Sequence, residues 1–412
     1  MPPNDSTVQS FEDAEQTARF VARERPAGKP LKVAFISHQH SYWNCFSSII
    51  RAMQAKPEKF DVAALMVPFV GHEQQVIAHI RHPLEELRAQ GFPVRTPERY
   101  NIHQERPELA FFSTPYTVQR EVKYFPNLLL AQGTLSALVP YCTEFMGTED
   151  FLNGYLDWYK FFWRTFASSS MSGKVYTSRG QAPKGNAPAL GNPEYDVVLN
   201  ARPESLQKYQ MLKRLANGRK IVLWTPHYKT EAGWATWSTL GERIAKLFLE
   251  YSDEIFIVAR PHQMLAGFML MWKPGSKPQN NLEEIAHILY SGSNCWLDID
   301  PLAIESVYAA DAVISDMSSI LTKAMALNKS VLYTYGKEGS GAGMAEPVLT
   351  RYIHNATSVN AIRIFLEMVK NGEQDPLLPL PENVKSAFCG PVDSKAGQRI
   401  ADYLENYFSP AE

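Results

Sequence analysis

The sequence has few cysteines and no large excess of charge, and both shortages exclude classes of protein. Four cysteines occur in 412 residues, at positions 45, 142, 295 and 389, and no two of them form a CxxC pair. A disulfide framework and a zinc ribbon are therefore not indicated, and the cysteines are predicted to be reduced thiols. With 41 basic and 43 acidic side chains the formal charge is −2, so a nucleic-acid partner is not expected.

Long hydrophobic runs are also missing. The longest candidate, residues 151–166, is interrupted by Asp157, Lys160 and Arg164, whereas a bilayer span needs about 20 apolar residues. The N-terminus lacks the basic start and apolar stretch of a secretory signal. The aromatic residues of 151–166 suit either core packing or a helix in a membrane interface. The predicted location is cytoplasmic, with peripheral contact to the inner face of the plasma membrane left open.

What is present is a globular composition, with 45% hydrophobic and 20% charged residues, arranged as alternating strands and helices. Short apolar runs such as 31–38 and 60–67 predict strands buried on both faces, and helical segments between them predict parallel pairing. A strand is also predicted at 174–177 and a helix at 73–90. We therefore predict an α/β protein with two doubly wound domains that face a central cleft.

A Gly- and Pro-rich stretch at residues 178–193 marks the predicted boundary between the domains. The predicted organisation is a flexible N-terminal tail (1–29), an N-terminal domain (30–190), a C-terminal domain (191–390) and a C-terminal helix (391–412) that packs back on the N-terminal domain.

Three histidines stand where predicted strands end: His38, His227 and His262. A neutral imidazole can remove a hydroxyl proton near neutral pH, and a protonated one can stabilise a phosphate oxygen. A structural histidine bonded to the backbone is the alternative for each. Because a Thr-Pro-His and an Arg-Pro-His sequence recur at equivalent strand ends, we predict that His227 and His262 are functional.

A second polar cluster, SDMSS at residues 315–319, follows a predicted buried strand and opens a predicted helix. Backbone N–H groups and hydroxyls at such a place are typical of a phosphate site, although simple capping by Ser318 fits as well. Arg260 would supply a forked donor. The sequence has no GxxxxGK(S/T), no strand-linked GxGxxG and no HExxH, so a P-loop, a dinucleotide-binding turn and a zinc site are not predicted. A glycine-rich segment at 336–343 would form a loop over the ligand.

Four motifs in the second half of the chain carry a family resemblance. They are GNPEYD (191–196), similar to a Gly-x-Pro-Lys-(Phe or Tyr)-Asp pattern, KIVLWTPHY (220–228), VARPH (258–262), and ADAVISDMSSI (310–320), similar to a Ser-Asp-Tyr-Ser-Ser signature. Together they resemble the CDP-glycerol glycerophosphotransferase family of teichoic-acid and capsule polymer synthesis. The resemblance implies a GT-B type fold with two Rossmann-like domains.

The resemblance also implies roles for the matching residues. Arg260 and His262 would bind the donor's phosphates, and Ser318 and Ser319 would hold the glycerol phosphate or pyrophosphate. Asp316 would orient their loop. Thr225 and Pro226 would also bind the donor, and His227 and His262 are predicted to be catalytic.

Departures from the family pattern are Met317 for Tyr, Lys323 where the family often has Asp, and Glu194 for Lys. A Trp-His-Gly-Thr-Pro segment, in which teichoic-acid polymerases carry a histidine of the N-terminal domain, is missing. The base that deprotonates the acceptor is therefore predicted to be His38.

The implied function is transfer of glycerol phosphate, or a related alditol phosphate such as ribitol phosphate, from a CDP-linked donor to a hydroxyl of a glycan or lipid-linked acceptor in bacterial cell-surface polymer synthesis. No metal and no cofactor besides this donor substrate is predicted. The alternatives are a GT-B sugar transferase (Kdo or hexosyl) of capsule or lipopolysaccharide assembly, a nucleotide-sugar 2-epimerase, and a non-catalytic glycan-binding relative.

Overall fold

A computed structural model describes residues 5–26, 28–70, 84–142, 159–180, 182–230, 234–266, 276–335 and 350–409. Three predicted features lie wholly or partly outside these ranges: the first part of the helix at 73–90, the first half of the aromatic run at 151–166, and the glycine-rich loop at 336–343.

The N-terminal domain is built on a parallel six-stranded sheet. Its strands are β1 (Leu31–Ser37), β2 (Phe60–Met66), β3 (Val94–Arg95), β4 (Leu109–Phe112), β5 (Leu135–Leu138) and β6 (Arg164–Thr165). They lie in the order β3-β2-β1-β4-β5-β6, so β1 is central and pairs with β2 and β4 in register, with Val33 beside both Val62 and Leu109. The central strands are almost entirely apolar because helices or loops cover both faces of the sheet.

The C-terminal domain repeats this architecture. Its strands are β7 (Lys220–Thr225), β8 (Ile255–Ala259), β9 (Cys295–Leu297), β10 (Ala312–Ser315), β11 (Ser330–Thr334) and β12 (His354–Ala356). The order β12-β11-β10-β7-β8-β9 becomes 6-5-4-1-2-3 when the strands are numbered within the domain, which is the doubly wound order of the first sheet. The predicted two-domain α/β fold class is confirmed.

Helices connect the strands and cover the sheets. In the described ranges they are α1 (Asp5–Glu24), α2 (Asn44–Gln54), α3 (Leu84–Ala89), α4 (Ile102–Glu105), α5 (Pro126–Leu130), α6 (Ser170–Ser178), α7 (Pro193–Leu199), α8 (Gln207–Ala216), α9 (Glu242–Leu249), α10 (Asn281–Ser291), α11 (Ile304–Ala309), α12 (Ile320–Ala326), α13 (Val359–Lys370), α14 (Glu382–Cys389) and α15 (Ala396–Phe408). The strand predicted at 174–177 is wrong, because these residues belong to α6. Ser169 caps that helix by accepting a hydrogen bond from the Ser172 backbone.

The N-terminal segment differs from its prediction. Residues 5–24 form helix α1, where a flexible tail was expected, because Phe11, Ala14 and Ala18 supply a buried apolar face. Its Glu15 carboxylate accepts hydrogen bonds from Arg164 at 2.9 Å and from the Tyr407 hydroxyl at 2.9 Å. These bonds tie α1 to strand β6 and to helix α15.

The C-terminal helix α15 crosses to the N-terminal domain. Its Ile400, Ala401, Leu404 and Phe408 are part of the apolar core beneath β1 and α2. The described half of the aromatic run lies in that domain too, since Tyr159, Phe162, Trp163 and Phe166 are all buried. Of the two interpretations of the aromatic run, core packing and a helix in a membrane interface, core packing therefore applies to these four residues. Within the described ranges, the helices are too short or too polar to cross a membrane.

Candidate functional site

The predicted donor-side residues lie at one edge of the C-terminal sheet. Strands β7, β8 and β10 are parallel neighbours, so their carboxyl ends meet at the edge where doubly wound folds bind ligands. His227, His262 and Asp316 follow these three strands. The sequence motifs are thus brought together in space by sheet topology.

Asp316 is a buried carboxylate that fixes the loops of this edge. It accepts hydrogen bonds from the His227 backbone N–H at 2.8 Å, from the Thr236 backbone N–H and hydroxyl at 3.1 and 2.6 Å, and from the Thr334 hydroxyl at 2.7 Å. Burial raises the pKa of Asp316 to about 6, against the opposing effect of these hydrogen bonds. Asp316 therefore joins the ends of β7, β10 and β11.

His227 and His262 form a pair. Their ring centroids are 4.8 Å apart, and the Tyr228 ring lies 4.7 Å from His227 and 4.5 Å from His262. The Nδ1 atom of His227 accepts a hydrogen bond from the Lys229 backbone, and that of His262 accepts one from the Met264 backbone. A neutral imidazole whose Nδ1 accepts carries its proton on Nε2. Both rings are therefore set up as Nε2–H donors.

Electrostatics keep His227 neutral. Burial lowers the pKa of His227 to about 2, and the proximity of His262 and Lys229, which disfavours a second positive charge, acts in the same direction. The Lys229 ammonium also lies 5.0 Å from the Trp234 ring centroid. Tyr228, Lys229, Trp234 and Thr236 belong to this site, and sequence reasoning missed them, although Tyr228 directly follows the Thr-Pro-His motif.

The remaining donor-side candidates make contacts within the domain. Thr225 donates its hydroxyl hydrogen bond to the Ser315 hydroxyl at 2.6 Å, and the Pro226 carbonyl accepts from the His262 backbone at 2.9 Å. Ser318 accepts from the Ile320 backbone at 3.2 Å, but the N-cap residue of helix α12 is Ser319, whose side chain makes no capping hydrogen bond. Helix α12 begins only at Ile320 and has 7 residues, so its dipole is short.

Arg260 is held by a buried acid. Its Nη1 donates to Asp298 at 2.7 Å and its Nη2 to the Pro301 carbonyl at 3.2 Å. Burial alone would raise the pKa of Asp298, but the charges of Arg260 and Lys208 hold it below its ordinary value. Two nitrogens of the guanidinium are thus engaged inside the domain, where the sequence predicts a forked donor to the ligand. Phosphate binding by Arg260 stays a prediction.

His38 lies at the matching edge of the N-terminal sheet, after β1. It is buried, and its Nε2 lies 3.0 Å from the Gln119 side-chain oxygen. Because that oxygen only accepts, Nε2 carries the proton and Nδ1 the lone pair that a base needs. The rings of Tyr42 and Phe69 lie 5.5 and 5.8 Å from His38, and Tyr42 also contacts Tyr141.

The two edges face each other. Burial raises the pKa of Tyr42, and the nearby Tyr228 phenol of the C-terminal domain adds to this rise. The cluster around His38 and the histidine pair thus approach through Tyr42 and Tyr228. A separate cavity of about 1480 Å³ lies between α2 of the N-terminal domain and α7, α8 and the loop after β9 of the C-terminal domain. Its wall contains neither His38 nor the histidine pair.

The described part of the chain contains no cluster of three or more His, Cys, Asp or Glu residues placed to hold a metal ion.

Comparison with known proteins gives the fold and its relatives. No family model matches the sequence, and no curated protein matches it either. Among solved structures, a protein described as a UDP-N-acetylglucosamine 2-epimerase from Listeria monocytogenes is similar with a TM-score of 0.63 and 13% identity, covering 93% of this chain and 98% of its own. A variant of the wall teichoic acid polymerase TagF gives 0.60 and 12%, covering 97% and 93%. MnaA of S. aureus, solved with UDP, gives 0.59 and 14%, covering 92% and 100%. At these identities the comparisons establish the GT-B type fold.

Proposed function

We propose that this protein transfers an alditol phosphate, glycerol phosphate first of all, from a CDP-linked donor to a hydroxyl of a glycan or lipid-linked acceptor in the synthesis of a cell-surface polymer. The observation that carries the proposal is the pair of imidazoles, His227 and His262, whose Nδ1 atoms are both occupied by backbone N–H groups. The similarity to TagF, one of whose structures was obtained with CDPG, supports the choice of donor.

In the proposed reaction the acceptor oxygen attacks the β-phosphorus of the donor and forms a new P–O bond, while the P–O bond to CMP breaks. The acceptor proton passes to Nδ1 of His38, and CMP leaves with the bonding electrons. His227 and His262 donate Nε2–H bonds to the phosphate oxygens, and Lys229 adds positive charge. Such preorganised donors are the main source of catalysis in phosphoryl transfer.

A donor panel tests the proposal. The purified protein is assayed for release of CMP or UDP from CDP-glycerol, CDP-ribitol, CMP-Kdo and UDP-sugars, with a capsule oligosaccharide as acceptor. We expect CMP release with CDP-glycerol. Release only from CMP-Kdo or a UDP-sugar would assign the site to a sugar transferase, and binding without turnover of any donor would assign it to a glycan-binding relative.

Substitution His262→Ala is expected to lower kcat by about 100-fold or more, because a charge-stabilising donor is lost in the transition state. The exposed His287→Ala, in helix α10 of the same domain, is the matched control. The midpoint of thermal unfolding is measured for both variants. A folded His262→Ala protein with wild-type turnover would remove His262 from the mechanism.

A second candidate is a nucleotide-sugar 2-epimerase, because two of the similar structures described above are an epimerase and a UDP complex of MnaA. Incubation with UDP-N-acetylglucosamine alone separates the two functions, since epimerisation needs no acceptor and releases no nucleotide. We expect the sugar nucleotide to be recovered unchanged.

A further inference from the structure

Arg120 is a buried cation at the edge of the N-terminal sheet that faces the cleft. It follows the helical turn Thr117–Gln119 and is 2% exposed. Its Nη2 donates to the Thr114 carbonyl and hydroxyl at 2.5 and 2.9 Å, and its guanidinium carbon lies 4.7 Å from the Phe112 ring centroid. The other two nitrogens, Nε and Nη1, are buried and have no hydrogen-bond partner among the described residues.

No carboxylate of the described residues pairs with Arg120. By contrast, Arg164 pairs with Glu15 and Arg260 with Asp298. Burial lowers the pKa of Arg120 to about 9, and Tyr42 acts in the other direction. A buried charge without a counter-charge costs free energy of folding. Among the described residues, Arg120 is thus a cation without a counter-charge, with two donors that lack acceptors.

The neighbours of Arg120 belong to the cleft. Gln119, adjacent in sequence, bonds to His38, and Tyr42 is electrostatically coupled to both Arg120 and Tyr228. Arg120 therefore lies beside the group that would deprotonate the acceptor, and on the opposite domain from the histidine pair. A charge at this place can neutralise an anion on the second substrate without touching the donor.

We propose that Arg120 is the cationic centre of a second anion site, on the N-terminal side of the cleft, which binds an oxyanion of the acceptor next to the hydroxyl that reacts. The ligand is a phosphate or carboxylate group, both of which accept charge-assisted hydrogen bonds from a guanidinium. The identification of this ligand as the acceptor rests on the proposed function, whereas the anion site itself does not.

The test compares Arg120→Met, which keeps the bulk and removes the charge, with Arg99→Met at an exposed position of the same domain. Thermal unfolding and calorimetric titration of the full chain at constant ionic strength use three probes: glycerol 3-phosphate, glycerate and glycerol. We expect the wild type and Arg99→Met to bind an anionic probe but not glycerol. Arg120→Met should bind it at least roughly tenfold more weakly, with an unfolding midpoint equal to or above that of the wild type.

Preference between glycerol 3-phosphate and glycerate identifies the oxyanion. An Arg120→Met protein that is less stable and still binds the anion would show that Arg120 is a structural residue and would overturn the proposal, as would a wild type that binds none of the anions. If Arg120→Met does not fold, the neutral variant Arg120→Gln is titrated in its place, and wild-type affinity there overturns the proposal.

His262→Ala separates this site from the donor side. The Arg120-dependent response should persist in that variant, and its loss there would place the anion at the histidine pair and overturn the proposal. An Arg120-dependent response in a protein that releases no CMP from CDP-glycerol would leave the anion site standing and remove the proposed function.

Discussion

Glu194 and Lys323 depart from the family pattern separately, yet the structure relates the two departures. Their side chains form a buried ion pair, with 7% and 8% exposure. The pattern that the sequence resembles has Lys at the first position and often Asp at the second, so the two charges here are the reverse of that pattern. The Cys45 thiol of the N-terminal domain lies 4.0 Å from Glu194, and the pair therefore lies where the domains meet.

Reversal of one charge should destabilise the protein strongly. Glu194→Lys would bury two ammonium groups side by side and lower the free energy of unfolding by about 3–5 kcal/mol, the cost of breaking a buried pair. The double variant Glu194→Lys/Lys323→Asp should recover most of this loss in urea denaturation. A double variant as unstable as the sum of its two single variants would contradict the pairing.

Because the pKa of His227 is lowered in the folded protein, we expect the free energy of unfolding to depend on pH. The folded pKa of about 2 lies below the ordinary value of 6.5, so the unfolded chain takes up a proton that the folded chain does not. The free energy of unfolding should therefore fall below pH 6.5, by up to about 1.4 kcal/mol per pH unit. Replacement by His227→Asn should remove this slope in denaturant titrations between pH 5 and 7. Parallel curves for the two proteins would count against a neutral His227.

The pKa shift of Asp316 changes the free energy of unfolding with pH in the opposite direction to that of His227. The folded pKa of Asp316 is raised from 3.8 to about 6, so the stability that it gives at low pH is lost as the pH rises from 3.8 through 6. Because the two effects oppose each other in the range from pH 4 to 6, Asp316→Asn serves as the second curve that separates them.

At the scale of elements, three helices meet at the junction of the domains. Asp196 of α7 accepts hydrogen bonds from the backbone N–H groups of Ala396 and Gly397, at 3.2 and 2.8 Å, where α15 begins. A carboxylate at a helix N-terminus satisfies free donors and matches the helix dipole. Helix α15 then passes so close to α2 that a Cβ at position 397 would lie 2.5 Å from the Ser48 carbonyl carbon. Only glycine fits this crossing.

Substitution Gly397→Ala is thus expected to separate α15 from α2. Because the obstacle is backbone, which cannot turn aside as a side chain can, we expect a loss of about 1–3 kcal/mol in the free energy of unfolding. The exposed neighbour Gln398→Ala should change it by less than about 0.5 kcal/mol. Equal unfolding midpoints for the two variants in guanidinium chloride would show that the crossing is not tight.

At the scale of the molecule, the last described helix packs on the first sheet. Helix α15 contributes Ile400, Leu404 and Phe408 to the core of the N-terminal domain, and Arg164 donates to the Tyr403 hydroxyl at 2.7 Å. The strands of the C-terminal sheet, β7 to β12, therefore lie in sequence between two parts of the chain that pack on the first sheet.

Removal of residues 391–412 should consequently destabilise the N-terminal domain rather than the C-terminal domain. Each of the three apolar side chains loses burial worth about 1.5–3 kcal/mol. Hydrogen exchange followed by mass spectrometry should show faster exchange in β1, β4 and β5 than in the full chain, with β7, β8 and β10 unchanged. Faster exchange in the C-terminal sheet instead would contradict the conclusion that helix α15 stabilises the N-terminal domain.

The sequence by itself determined the fold class and the site edge of the C-terminal sheet. Buried parallel strands read as continuous apolar runs, and polar residues after them have to lie at the carboxyl edge, so His227, His262 and Asp316 could be brought together from their positions alone. Weak or atypical patterns mislead such an analysis: residues 174–177 predict a strand although they belong to α6, and the sparse apolar face of α1 predicts a tail where a helix forms.

Only the tertiary structure decided contacts between residues far apart in sequence. The pairing of Glu194 with Lys323, the engagement of Arg260 by Asp298, the proton positions on the imidazoles and the orphaned donors of Arg120 depend on side chains that sheet order and domain packing bring together. No local propensity encodes these distances, because they are set by the close packing of the whole chain.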